Sequence, residues 1–408
     1  MPFSRFPPFL LSLILINLTA HMALSGGRLT GSLYILKNGH PEALVGLFMA
    51  FFSVIPVMTS LAIGRWVDRA GAVKVLRSGI VLVLLGAWLP VVHLSMPTLL
   101  VTAMTIGFGF NVMSVAAQHT VGHLAPVATP AERMANFGWF ALGHSSSSTI
   151  GPFIAGLLIG HFSFRAAFAA MAVATCLSAW LVATRIRGMP GQTREIRQQA
   201  ILTSDDLLQK AKRKPKVSDL LVSHEMRRIY WVNAVTASAW DLFIVMLPVL
   251  GYRLGYSASI IGTVFSLFAL GTFMARAAMP WLSRRANEWQ ILRVALVVIC
   301  LVFLALPFAV LAPVLMLFGL IFGSAVGMSQ PNMLSLLHQA APPGQGGEAV
   351  GLRSVLSNGC SVLVPLCFGA ALSVVSMTPL LLFGALVFSS GLYPAHLGVN
   401  ARSGRGFH

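Results

Sequence analysis

The stretch GRWVDRAGAVKVLR, from Gly64 to Arg77, separates two long apolar runs and places five ionisable side chains within fourteen residues. Elsewhere charge is scarce, because charged residues make up only 10% of the chain. Hydrophobic residues account for 56% of the 408 residues, and the mean hydropathy is +0.81. Such a composition leaves too little polar surface for a water-soluble globule, so we predict a polytopic membrane protein.

Apolar stretches long enough to cross a hydrocarbon core of about 30 Å recur along the chain. Backbone groups in lipid must satisfy their own hydrogen bonds, which predicts an all-α membrane protein with twelve transmembrane helices. The predicted spans are 9–36, 41–63, 75–94, 97–124, 135–160, 163–183, 229–252, 257–281, 289–310, 312–338, 348–374 and 377–398.

The sequence also repeats itself at about half its length. Under shifts of 216 or 213 residues, Gly39 falls on Gly255, Gly46 on Gly262, Gly107 on Gly323, Pro152 on Pro365 and Gly156 on Gly369. We therefore predict two pseudo-symmetric six-helix bundles, residues 1–183 and 229–408. They are joined by a basic linker, 184–228, with a possible amphipathic helix around DDLLQKAKRK. The linker is interpreted as a solvated connection, with a regulatory site as the alternative.

Most of the 28 Lys and Arg residues fall in segments that share one side of the membrane if the amino terminus is cytoplasmic. The positive-inside rule then places both termini in the cytoplasm. We expect an integral protein of the cytoplasmic (inner) membrane. The net charge of +17 is thus a topology signal, with some attraction for anionic membrane lipid, and does not indicate nucleic acid. The four cysteines show no metal-ligand spacing, so no metal site is predicted.

The opening stretch resembles the loop signature of the major facilitator superfamily between its second and third helices, roughly GxLaDrxGrrxxl. Gly64, Asp68, Arg69 and Gly71 match this signature, and Lys74 lies one place beyond its usual second basic position. With the twelve spans, the duplication and the central loop, the resemblance covers essentially the whole chain. It implies the major facilitator fold.

The resemblance further implies that the signature residues form a cytoplasmic gate. Asp68 is expected to dock at the start of the eleventh helix, where an anion gains about 0.3–1 kcal/mol from the helix dipole. Plain anchoring of the loop is the alternative. In the second half Arg284 takes the matching position and is expected to face Glu132 at the start of the fifth helix. Glu348 and Arg353 lie beside the expected latch and are also assigned to gating.

A second stretch, GPFIAG in the fifth span, resembles the motif of drug-proton antiporters, roughly GxxxGPxxGG. Gly151, Pro152 and Gly156 match and are assigned to gating, because small residues and proline allow close packing and bending where the halves meet. Ordinary helix packing is the alternative. The arginine that such exchangers carry in the fourth helix is missing, since Ala103 stands four residues before Gly107.

Asp241 is the one acidic residue deep within an apolar stretch of the sequence, in NAVTASAWDLFIVMLP. A charge at mid-membrane costs about 2.5–3.5 kcal/mol, so we expect this carboxyl to be neutral or paired. It is assigned to proton coupling, with a structural ion pair as the alternative. The repeat places Asp241 level with Ser25, and Arg28 lies about one turn further on, so Arg28 is predicted to be its charge partner.

Other polar residues in the spans are predicted to line a central cavity together with this pair, although each one alone also fits a helix-packing hydrogen bond. The predicted cavity residues are Asn17, His21, Arg28, Asn111, Gln118, His144, Trp240, Asp241, Gln330 and Asn358.

The sequence contains no phosphate-binding loop, nucleophile elbow or metal-ligand cluster, which argues against an enzyme and predicts no cofactor. We predict a monomeric secondary active transporter that moves a small-molecule solute by alternating access, coupled to protons, with efflux as its direction. Proton symport or facilitated uptake of a small organic solute is the alternative. A non-transporting membrane receptor or scaffold is a third interpretation.

Overall fold

The computed structural model describes residues 8–122, 130–186, 223–341 and 346–403. These residues form thirteen α-helices and one short 3-10 helix, Leu306–Phe308. The α-helices are α1 Pro8–Lys37, α2 Ala43–Ala70, α3 Ala72–Val92, α4 Met96–Gly122, α5 Pro130–His161, α6 Phe164–Arg185, α7 His224–Arg253, α8 Ala258–Leu282, α9 Glu288–Ala305, α10 Ala312–Ala340, α11 Gly346–Leu372, α12 Met377–Ser389 and α13 Leu392–Ser403. The amphipathic helix expected in the linker lies outside the described residues.

Ten segments in the described part of the chain are long and apolar enough to span a membrane. α12 and α13 together form one of them, Met377–Asn400, with a break at Ser390 and Gly391. Two further crossings are α2, whose apolar part Ala43–Thr59 is shorter, and the 32-residue α5. The all-α fold of twelve membrane-crossing helices is therefore confirmed.

Tight turns between the helices use glycine where the backbone requires a positive φ, a conformation that other residues rarely adopt. Gly39, between α1 and α2, has φ 74°, and its repeat mate Gly255, between α7 and α8, has φ 73°. Gly71 joins α2 to α3 with φ 85°, and its N–H donates to the carbonyl of Val67. The α1–α2 and α7–α8 turns are thus built from equivalent glycines in the two halves.

The halves, α1–α6 and α7–α13, pack together through two helix pairs, α2 with α11 and α5 with α8. We call the side where α6 ends and α7 begins the linker side, and the side of the α1–α2 and α7–α8 turns the opposite side. A Cβ built on Gly156 would lie 2.5 Å from the carbonyl oxygen of Ala258, and one on Gly262 would lie 2.5 Å from that of Pro152. A Cβ built on Gly46 of α2 would lie 2.2 Å from the carbonyl oxygen of Pro365 in α11. Both contacts lie toward the opposite side and hold the halves closed there.

Toward the linker side, the described glycines of α2 and α11 make no such close contacts. A Cβ built on Gly64 of α2, or on Gly351 or Gly359 of α11, would meet no described atom within 4 Å. Gln118 of α4 and Gln330 of α10, which face the interior, are exposed. The described bundle is therefore closed on the opposite side and open toward the linker side.

Candidate functional site

Three adjoining cavities lie between the halves, with volumes of about 150, 430 and 240 Å³. The first lies among α1, α5, α7 and α8, the second among α4, α5, α7, α8 and α10, and the third among α1, α7, α10 and α11. Trp240 of α7 lines all three. The site is therefore built from helices of both halves, so a movement of one half relative to the other would change its shape.

Asp241 lies in the third cavity with only 9% of its surface exposed. The hydroxyl of Ser361 donates a hydrogen bond to its Oδ2 at 2.9 Å. Asn358 and Ser357 of α11 line the same cavity, and Asn233 of α7 donates to the Ser357 hydroxyl at 3.0 Å. These contacts fix α7 against α11, so the intramembrane carboxyl faces a polar cavity instead of lipid.

Arg28 of α1 lines both the first and the third cavity. Its guanidinium carbon lies 5.1 Å from the ring centroid of Phe52, a cation–π contact. It is near enough to Asp241 for a Coulombic interaction, but the two side chains form no ion pair within 4 Å. The structure brings the expected partners into one cavity, and their direct pairing stays a prediction for another stage of the cycle.

Two further arginines enter these cavities. Arg353, which sequence reasoning assigned to a gate, lines the third cavity beside Asp241. Arg276 of α8 lines the second cavity, donates to the Ser145 hydroxyl at 2.7 Å and reaches the side-chain oxygen of Gln330 at 3.4 Å. Sequence reasoning did not assign Arg276 to the cavity, although its position inside an apolar span was a usable signal.

A cluster of histidine and serine side chains forms the wall shared by α1 and α5. The rings of His21 and His144 lie 3.9 Å apart, and Nδ1 of His21 lies 2.7 Å from the Ser147 hydroxyl. The ring of Phe110 from α4 packs 4.9 Å from His21. Both histidines line the first cavity.

The remaining cavity candidates divide into two groups. Gln118 and Gln330 line the second cavity, and Gln118 donates to the Ser114 hydroxyl at 2.9 Å. Asn17 is instead buried within α1, with 1% exposure, and lines none of the described cavities. Asn111 on α4 lines none of these cavities either.

The gating candidates of α5 lie where two helices approach. A Cβ on Gly151 would lie 3.1 Å from the Met22 carbonyl oxygen, so Gly151 allows α5 to contact α1. Pro152 lines the first cavity and presents its carbonyl to α8, and Gly156 packs on Gly262. The three motif residues therefore lie at close contacts on both sides of α5.

On the linker side, Arg69 is exposed near the end of α2, one residue before α2 ends at Ala70. Arg284, also exposed, lines a separate 510 Å³ cavity among α8, α9 and α10. The side chains of Asp68, Glu132 and Glu348 lie outside the described residues, and the expected latch stays a prediction.

On the opposite side, an ion pair that sequence reasoning missed joins the two halves. Glu42, just before α2, accepts hydrogen bonds from Nε and Nη2 of Arg253 at the end of α7, at 2.7 and 2.5 Å. Their side chains are partly exposed. Nothing in the local sequence marks these two residues as partners, because they are 211 positions apart.

A helical membrane bundle with two repeated halves around a polar cavity defines a class, the secondary transporters. The family model described as Major Facilitator Superfamily matches residues 12–365, and the chain belongs to this family. It is a secondary transporter of the major facilitator type, as the resemblance of its α2–α3 turn implied. No curated protein matches the sequence.

Solved structures with the same fold include transporters of the POT family. One is a POT family transporter in complex with a thioalcohol-conjugated peptide, 15% identical, with a TM-score of 0.75 over 100% of this chain and 98% of that one. A second is the peptide transporter POT in complex with sulfate, 16% identical, TM-score 0.76, covering 99% and 96%. A third is a POT family transporter in complex with 5-aminolevulinic acid, 15% identical, TM-score 0.74, covering 98% and 96%.

Proposed function

We propose that this protein moves a small organic solute across the cytoplasmic membrane by alternating access, that it couples this movement to protons through Asp241, and that its direction is efflux. The observation that carries the proposal is the polar cavity between the halves, closed on the opposite side and open toward the linker side. A buried acid within such a cavity is where a proton and a solute can influence each other.

Alternating access follows from how the halves meet. Glycine contacts between α2 and α11 and between α5 and α8 let backbones touch without interlocking side chains, so one half can rock against the other. In the other stage of the cycle, the Glu42–Arg253 pair and the glycine contacts separate, and the linker side closes around Asp68. The basic linker and both termini lie in the cytoplasm in this proposal.

Proton coupling is assigned to Asp241 because protonation changes its partners. Ionised, the carboxylate accepts from Ser361 and attracts Arg28. Protonated, it loses that attraction, so Arg28 is released toward the solute. The proton and the solute are thereby linked through one electrostatic interaction.

The direction of transport has two candidates. Efflux in exchange for protons is favoured by the GPFIAG motif, whose glycines lie at the close contacts of α5 with α1 and α8. Proton symport or facilitated uptake is favoured by Ala103, which is buried where antiporters of the resembled branch carry an arginine. The POT relatives are too distant, at 15–16% identity, to choose between them.

Transport in proteoliposomes with a trapped pH-sensitive dye tests the proposal. Solutes are first selected as those that raise the melting temperature of the purified protein, since a ligand of the folded state stabilises it. We expect an imposed pH gradient to drive solute uphill in the unsubstituted protein, and expect Asp241→Asn to keep exchange while losing uphill movement. Glu225→Gln, an acid at the start of the same helix, serves as the matched control.

The sign of the flux decides direction. Solute movement opposite to the direction of proton flow supports efflux in exchange for protons. Solute movement in the same direction as proton flow supports symport. Movement without any proton dependence contradicts the coupling, and binding without movement of any solute favours the receptor or scaffold interpretation. Full uphill transport by Asp241→Asn removes this residue from the coupling.

A further inference from the structure

The described lining of the three cavities carries an excess of positive charge. Three arginines, Arg28, Arg276 and Arg353, face these cavities, whereas Asp241 is the one carboxylate among the described lining residues. An arginine stays charged at any physiological pH. The site therefore holds a surplus of two positive charges when Asp241 is ionised.

Two of these arginines also hold hydrogen-bonding capacity that the described residues do not use. The Nε atoms of Arg28 and Arg353 are both buried and have no hydrogen-bond partner in the described structure. A buried donor without a partner destabilises the folded state, so a ligand that accepts from it is favoured. Arg276, by contrast, already donates to Ser145 and Gln330.

The carboxylate of Asp241 accepts no hydrogen bond from the Nε of Arg28 or of Arg353. Its carboxylate accepts from Ser361 and forms no ion pair within 4 Å with Arg28. Arg28 and Arg353 nevertheless line one cavity of about 240 Å³. Two guanidinium groups around one cavity match the planar oxygens of a carboxylate, which accepts paired N–H donors.

One wall of the site is apolar and aromatic, beside the polar side chains that line the third cavity. Trp240 lines all three cavities, and its ring lies 4.8 Å from that of Phe268. Phe265 adds a further apolar face to the first cavity. A solute bound by the arginines would therefore place an apolar or aromatic body against this wall.

We infer that the solute is an organic anion, with a carboxylate held between Arg28 and Arg353 and an apolar body packed on Trp240. This inference rests on the proposed function, because it names the class of solute that the cavity would carry. Arg276 contributes charge to the cavity, while its own hydrogen bonds keep it against α5 and α10.

Thermal unfolding of the purified full-length protein tests the inference with three probes, benzoate, 3-phenylpropionate and hexanoate. Each is measured beside the amide and the amine of the same carbon skeleton. We expect at least one carboxylate to raise the melting temperature, and its amide and amine to do so far less. Arg353→Gln and Arg28→Gln should each weaken binding of that carboxylate by about tenfold or more, as expected for loss of a charge-assisted hydrogen bond.

Arg165→Gln is the matched control, because Arg165 is exposed at the start of α6, outside the cavities. Variants are compared only if their melting without probe stays cooperative, and two separate arginine variants guard against one that fails to fold. The inference is overturned if no carboxylate stabilises the protein, if amides or amines stabilise it equally, or if both cavity variants bind as tightly as the control.

A transport measurement separates this inference from the proposed function. Carboxylate binding without movement across liposomes would leave the anion site standing and remove the transport proposal. If a cationic or neutral solute is transported, and this transport persists in Arg28→Gln and Arg353→Gln, the transport proposal stands and the anion site is removed.

Discussion

Glu42 and Arg253 form a bidentate ion pair across the boundary between the halves, with N–O distances of 2.7 and 2.5 Å. The pair ties the start of α2 to the end of α7 on the side where the bundle is closed. Because the two side chains are partly exposed, water and salt screen the interaction, and such pairs contribute about 0.2–1 kcal/mol. The ion pair is therefore strong enough to favour the state that is closed on the opposite side, and weak enough to break during the transport cycle.

Glu42→Gln is expected to shift the population away from the closed opposite side by no more than about fivefold, the factor that a surface ion pair supplies. The measurement is the rate at which a thiol reagent labels a single cysteine, Ser259→Cys at the α5–α8 contact, in a background without the four native cysteines. Arg165→Gln, on the same side, should leave the rate unchanged. Equal rates in all three proteins would show that the ion pair does not act on this equilibrium.

Gly156→Val should open the opposite side more strongly. A Cβ at this position would lie 2.5 Å from the backbone of α8, so the closed state loses about 1–3 kcal/mol through overpacking. Labelling of the same cysteine should rise accordingly. Gly359→Val is the matched control, since a Cβ at Gly359 meets no described atom within 4 Å. An equal effect of both substitutions would contradict a specific contact between halves.

Asp68→Asn is expected to reduce the population that is closed on the linker side and to slow turnover, while the membrane fold stays intact. The amide keeps the size of the side chain but loses its charge, and with it the interaction with a helix dipole or a basic partner. Single-cysteine labelling on each side measures the shift, with Arg65→Gln as the control, because Arg65 is exposed on the same helix and is not one of the signature residues. Unchanged labelling with full transport would leave Asp68 as part of the anchor only.

Arg28→Gln and Asp241→Asn form a double-mutant cycle that tests their predicted pairing. Removing one charge strands the other in a buried cavity and should cost several kcal/mol of stability, whereas removing both should cost less than the sum. Thermal unfolding of the four purified proteins gives the coupling. Strictly additive losses would eliminate the pair. They would leave the proposed anion site standing, because that site requires Arg28 and Arg353 but not Asp241.

Reporter fusions after Arg77 and after His408 should read as cytoplasmic, and a fusion after Lys37 should read as external. The physical reason is the concentration of Lys and Arg in the segments on one side of the membrane. Enzymatic reporters that are active on one side only provide the measurement. A fusion after Arg77 that reads as external would contradict the orientation.

Much of the fold was readable from local sequence. Apolar runs of membrane-spanning length predicted the helices, and the repeat of glycines predicted the two halves. Gly39 and Gly255 adopt the same positive φ, and Gly46 and Gly156 pack on the other half just as their repeat mates do. A turn that needs glycine, or a crossing that excludes a side chain, leaves its mark at one position of the sequence.

The site was readable only in part. The sequence singled out Asp241, Arg28 and two histidines because a polar group in an apolar span is energetically costly, and the structure places all four side chains in the cavities. The direction in which such a side chain points could not be predicted from the sequence. Membrane helices are apolar on most sides, so their hydrophobic pattern does not show which side faces the cavity. Arg353 lines the cavity although its place near a helix start indicated a gate, and Asn17 is buried within α1 away from the described cavities.

The sequence by itself therefore determined the helices, their number and the duplication, because hydropathy and glycine patterns act over one or two turns of chain. Tertiary structure alone decided which side is closed, which arginines share a cavity and that Glu42 meets Arg253. These relationships depend on the rotation and crossing of helices far apart in the chain. Rotation and crossing are set by the packing of all the helices together, so no local pattern encodes them.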